Sequence, residues 1–168
     1  MKKIIPLLAL ITLVISTARA QSDWKAYDID NKLSIKFPSQ PQSMGNGGLA
    51  AADKDSSVYI AMFIDLGLDS SKISNEQILA IFDKPGALKD LKKVMQSKAP
   101  GAVLGDLVKI SWKDFPCFYT EGTFTGKPFK FYCYMPLINR RLYMITGAVR
   151  EDAVSKMKND FWGSLMLK

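Results

Sequence analysis

Cys117 and Cys133 are the only thiols in a chain of 168 residues that contains no histidine. The missing imidazole decides most of the accessible chemistry. It excludes a Ser-His-Asp triad, a Cys-His dyad, HExxH zinc hydrolysis and His-ligated copper or haem. Carboxylates, lysines, tyrosines, serines and the two thiols remain. The thiols are too far apart for a Cys-x-x-Cys redox motif. The methionines are scattered over different elements with no copper-binding cluster, so they read as core filler. These residues call for no metal and no cofactor.

Among the carboxylates, Glu121 stands out, in line with Tyr119 and Thr123 in a strand-like run. A carboxylate there could act as a general acid or base. A glycosidase would need a second one about 5–10 Å away. Glutamate is rarely buried, which favours a solvent-facing side chain. Phe129, Phe131, Tyr132, Tyr134 and Tyr143 form an aromatic concentration beside Lys127, Lys130, Arg140 and Arg141. Aromatic and arginine side chains make binding hot spots, and aromatics also fill cores. Core is the favoured reading for most of these rings. Lys127, Tyr132, Arg140 and Arg141 are the candidate partner-binding residues.

The two cysteines flank one hairpin, and its register decides their fate. A turn centred at Thr125 brings them into direct opposition, within disulfide reach. A two-residue Gly126-Lys127 loop puts them on opposite faces, as buried free thiols. Both alternatives stand on the sequence.

The elements that position these residues follow a secretory leader. Met1-Lys2-Lys3 is a basic start, Ile4 to Ser16 is almost unbrokenly apolar, and Ala18-Arg19-Ala20 is a small-x-small cleavage site. The apolar run is too short for a permanent membrane span. The expectation is a signal peptide over residues 1–20 and one domain over 21–168, in the periplasm or secreted. Losing Lys2, Lys3 and Arg19 lowers the net charge from +7 to +4. Scattered lysines without an arginine stripe argue against nucleic acid.

Leu33, Ile35 and Phe37 alternate with polar residues, as in a half-buried strand. Asn46-Gly47 signals a hairpin between that strand and one starting near Leu49. Val58 to Leu66 and Leu142 to Val149 are apolar on both faces, as in strands covered from above and below. Ser74-Asn75-Glu76-Gln77 is a capping box. It opens a helix expected over Asn75 to Ser97, with a kink or break at Pro85. Three strands are expected at Val103–Trp112, Cys117–Phe124 and Pro128–Met135, then a turn at Asn139, a strand from Arg141 to Val149 and a helix over Asp152–Trp162.

Several of these segments resemble a known family. LSIKFPSQP at Leu33 to Pro41 is similar to the opening of PsbP-like proteins, small exported bacterial proteins. Tyr59 to Asp65 resembles their second characteristic block. Asn139-Arg140-Arg141-Leu142-Tyr143 resembles a turn and strand, and Phe161-Trp162-Gly163-Ser164-Leu165 the closing segment. Phe115 stands where the family often has glycine, and Leu165 where it usually has phenylalanine. The resemblance implies an α+β fold, a single antiparallel sheet flanked by helices as an α/β/α sandwich. Relatives of this fold, a photosystem II extrinsic subunit and a small Ran-binding protein, act by binding larger partners.

The resulting expectation is an exported, non-enzymatic binding or accessory protein that acts on a protein or cell-envelope partner and does not span the membrane. Two rivals are a carrier of a small apolar ligand and a carboxylate-based hydrolase.

Overall fold

The computed structural model describes residues 24–45, 47–66, 74–99, 101–154 and 156–168. The expected leader and its cleavage site lie outside them. The strands are β1 (Lys25–Asp28), β2 (Leu33–Phe37), β3 (Gln42–Gly45), β4 (Gly48–Ala52), β5 (Val58–Asp65), β6 (Ala102–Leu104), β7 (Val108–Trp112), β8 (Phe115–Phe124), β9 (Phe129–Ile138), β10 (Arg141–Arg150) and β11 (Met166–Leu167). The α-helices are α1 (Asn75–Phe82) and α2 (Ala87–Lys98). The fold is α+β, with a large antiparallel sheet of eight strands and a small sheet of three. The large sheet runs β3-β4-β5-β10-β9-β8-β6, with β7 pairing β8 beside β6; the small one runs β1-β2-β11.

Parity along the paired strands sorts side chains onto two faces. Ala61, Ile145, Tyr134 and Tyr119 are successive cross-strand partners and share one face. That face gathers Tyr59, Tyr143 and Val149 with Leu33, Ile35 and Phe37 of the small sheet and Met157 and Phe161 of the C-terminal segment. Phe161 is the hub, with ring centroids 5.3 Å from Phe37 and 5.1 Å from Tyr59. The partners of the second cluster, Phe118, Phe131, Cys133, Met135 and Leu142, meet Ile78 and Met95 of the helices.

The sequence expectations need four adjustments. Phe37 does not end the strand that pairs with the one starting near Leu49. β2 pairs in the small sheet, and β3 is the partner of β4 that precedes it in the chain. The β5 strand is fully covered on one face only: Tyr59 and Ala61 are buried, whereas Val58 and Ile64 on the other face are exposed. The expected Val103–Trp112 strand splits into β6 and β7. The last expected helix is built of short pieces. A 3₁₀ turn over Glu151–Ala153 precedes a π-helical turn over Lys156–Phe161 and a second 3₁₀ turn over Trp162–Ser164. The wider turn lets Met157, Phe161 and Trp162 all face inward. Met157 lies directly over Gly147, where a Cβ would collide with its sulfur.

The helical hairpin follows the sequence closely. The Ser74 hydroxyl accepts from the Gln77 amide at 3.3 Å, and the Ser74 amide donates to Gln77 Oε1 at 2.8 Å. Pro85 and the left-handed Gly86 break the helix outright. Gln96 of α2 donates to the Ala102 carbonyl and accepts from the Leu104 amide, which pins β6 beneath the helix.

Candidate functional site

β7, β8 and β9 together with the C-terminal segment build the most chemically distinctive surface. Strand alternation puts Tyr119 and Tyr134 side by side on one sheet face, with ring centroids 5.1 Å apart. Trp162 settles over both, 3.7 Å from Tyr134 and edge-on to Tyr119 at 5.8 Å. Its indole N–H donates to the Ile145 carbonyl at 3.3 Å, which fixes the ring. Trp112 closes the far side from β7, stacked on Phe115 at 6.3 Å. The result is an open cleft of about 450 Å³, lined by Trp112, Tyr119, Tyr134, Lys158, Trp162 and Leu165 among others.

Polar groups stand at its rim. The Tyr119 hydroxyl donates to Glu121 Oε2 at 2.5 Å. Burial raises the Tyr119 phenol above its ordinary value, and its hydrogen bond to the Glu121 carboxylate raises it further. The phenol therefore keeps its proton and remains a donor. Glu121 is exposed, as expected, and lines a second depression of about 410 Å³ with Tyr132, Lys130 and Val103. Lys158 lines the first cleft, and its ammonium lies 6.0 Å from the ring of Tyr132 in the second. Lys158 carries no ion pair among the described residues.

The expected contact residues do not form one surface. Lys127 is exposed at the β8–β9 hairpin tip, whereas Arg140 and Arg141 sit at the opposite end of β9. Ten strand residues put those ends about 30 Å apart. Tyr132 is only 4 % exposed, with Trp162 edge-on at 5.9 Å. Arg141 is committed within the fold. Its Nη1 meets Asp30 Oδ2 at 2.6 Å, and the Tyr143 hydroxyl donates to the same oxygen at 2.6 Å. Asp30 Oδ1 accepts from the amides of Lys32 and Leu33. Burial alone would raise the Asp30 carboxyl. Those bonds outweigh it and hold the carboxyl below the ordinary range. The guanidinium also lies over Phe63 at 4.7 Å.

The cysteines do not pair. Cys117 faces Pro136 and Cys133 faces Thr120, a register centred between Gly126 and Lys127, with Phe124 and Phe129 joined through residues 125–128. That register turns the two side chains to opposite faces of the sheet, and both remain free thiols. Burial pushes each thiol up to about 12. The Thr146 hydroxyl donates to Cys133 Sγ at 3.3 Å.

Sequence reasoning missed Trp112, Lys158 and Trp162 as site residues. Trp162 carried a signal, as an amphipathic residue in a closing helix, but nothing local linked it to Tyr119 or Trp112. Compared with known families and with curated proteins, the chain matches no family model and no curated sequence.

Proposed function

We propose that this chain is an exported, non-enzymatic binding protein, periplasmic or secreted, that receives a cell-envelope partner at the aromatic cleft. The proposal includes a PsbP-like α/β/α layering and cleavage after Ala20. One observation carries the binding assignment: rings from β7, β8, β9 and the C-terminal segment converge on a cleft that stays open to solvent. Aromatic rings with nearby charge are what anchor partners at interfaces. A carrier of a small apolar ligand calls for an enclosed, mostly apolar cavity. A carboxylate hydrolase calls for two converging carboxylates. A cleft lined by aromatic rings around one lysine suits a surface-held partner better than either.

Co-sedimentation with a purified envelope fraction tests the reading. Wild-type protein is expected in the pellet and Trp112→Ala in the supernatant. Lys127→Ala, at the distant hairpin tip, is expected to sediment like wild type. Sedimentation that follows Lys127 and ignores Trp112 would overturn the assignment. The mass of the exported protein tests the leader: it is expected to begin at Gln21, and a full-length cytoplasmic product would contradict export.

A further inference from the structure

We infer that the ligand of this cleft is a short, linear saccharide bearing a carboxylate. The inference rests on the cleft being the binding site, as proposed above, and concerns what fills it. Three features converge on this class.

The first is shape. The two depressions, about 450 and 410 Å³, lie along the same sheet face. Their linings are joined through the Tyr119–Glu121 hydrogen bond, and Lys158 reaches from the first to Tyr132 in the second. A chain of ring-sized units can occupy both in sequence. The second feature is surface chemistry. Trp112, Tyr119 and Tyr134 are only partly covered. The parts of these rings left open by Trp162, Phe115 and Lys113 can pack against the C–H faces of pyranose rings. The Glu121 carboxylate can accept hydrogen bonds from sugar hydroxyls, and the Tyr119 hydroxyl can donate to them.

The third feature is charge. An aromatic cage also suits a quaternary ammonium group. Here the cation already belongs to the protein. Lys158 lines the cleft, and the Lys113 ammonium lies 4.8 Å over the Trp112 ring. In the first depression a cationic ligand would be repelled and a ligand carboxylate would pair with Lys158, while Glu121 leaves the second depression to the sugar hydroxyls. A lipid chain would leave the hydrogen-bonding rim unused.

Titration of tryptophan fluorescence with a matched pair, cellobiose and cellobiuronic acid, tests the inference, because two of the three tryptophans border the cleft. Both sugars are expected to bind, the acid more tightly by roughly threefold, the increment of a solvent-exposed ion pair. Trp112→Ala is expected to weaken both at least tenfold. Lys158→Gln, at an exposed position, is expected to abolish the preference for the acid. Equal affinity of wild-type protein for both sugars would overturn the acidic assignment. Binding of an acidic, aromatic hexapeptide but of neither sugar would overturn the saccharide class. If that binding and envelope sedimentation both remained Trp112-dependent, the cleft would stand as the site with a peptide as its occupant.

Discussion

Arg141 and Lys158 each hold a cation near an aromatic ring, Phe63 at 4.7 Å and Tyr132 at 6.0 Å. Their surroundings differ in one respect. Arg141 is answered by Asp30, whose side chain is only 8 % exposed, and Tyr143 completes the cluster. That cluster ties the β1–β2 turn to the start of β10. Its charges are spent on the fold. Lys158 has no carboxylate partner among the described residues and faces a cleft with polar groups at its rim. The same residue types thus serve a latch in one place and a candidate receptor in the other. What separates them is whether the fold itself supplies the counter-charge.

The largest expected effect breaks the latch. Asp30→Ala strands a partly buried guanidinium, the Tyr143 hydroxyl and two backbone amides. It is expected to destabilise the protein by about 2–4 kcal/mol in urea unfolding. Sugar binding by the remaining folded protein should be unchanged. Acid should act through the same group. Asp30 is held below its ordinary value, so its contribution is complete above about pH 4, the unfolded value, and is lost as pH falls through the folded one. Asp30→Asn should flatten the stability profile in that acid window. A profile that keeps its slope would assign the acid sensitivity to other carboxylates.

The reverse pattern is expected at the cleft. Trp112→Ala, on a strand paired only with β8 among the described residues, should cost about 2 kcal/mol, the loss of partial burial and one aromatic contact, while sugar affinity collapses. A loss of about 4 kcal/mol, the scale of a fully buried tryptophan, would make Trp112 a structural residue like Arg141.

Smaller still is the expected gain from Arg140→Gly. Asn139 and Arg140 both adopt left-handed backbone, at φ of 46° and 66°, in a two-residue hairpin loop. Asn-Gly is the favoured pair for such a loop, so relief of the strain should raise stability by about 1 kcal/mol. Unchanged envelope sedimentation would confirm that this end of β9 is architectural. A stabilised variant that no longer sediments would return Arg140 to the binding surface.

No change at all is expected from reducing agents. Two free thiols should be counted in the unfolded, unreduced protein, and native Cys117 and Cys133 should alkylate slowly because burial holds both thiols near 12. One disulfide after unfolding would mean the hairpin had closed about Thr125.

What the sequence showed and what it withheld divide along contact range. The capping box at Ser74, the break at Pro85 and the strands on either side of Asn139 were legible, because their signals lie within a few residues. The cysteine question was narrowed to two registers, but the choice lay in the turn. There Gly126 takes a left-handed φ of 70° and the Lys127 amide bonds back to the Phe124 carbonyl. The separate pairing of β2 was hidden because alternation marks a strand and not its neighbour. The cleft was hidden for the same reason: Trp112, Tyr134 and Trp162 meet only when β7, β9 and the C-terminal turns are docked. Arg140 and Arg141 drew attention by composition, and the Asp30 that engages Arg141 lies 111 residues away.

The three tryptophans provide the most direct test of the cleft as receptor. Each gives one indole N–H signal in a ¹H–¹⁵N spectrum: Trp24 from the buried aromatic cluster around Phe161, Trp112 and Trp162 from the two sides of the cleft. On addition of cellobiuronic acid, the Trp112 and Trp162 signals are expected to shift with a common saturation curve while Trp24 stays fixed. Shifts confined to Trp24, or shifts in the Arg140 and Arg141 amides with both cleft indoles unmoved, would contradict the account.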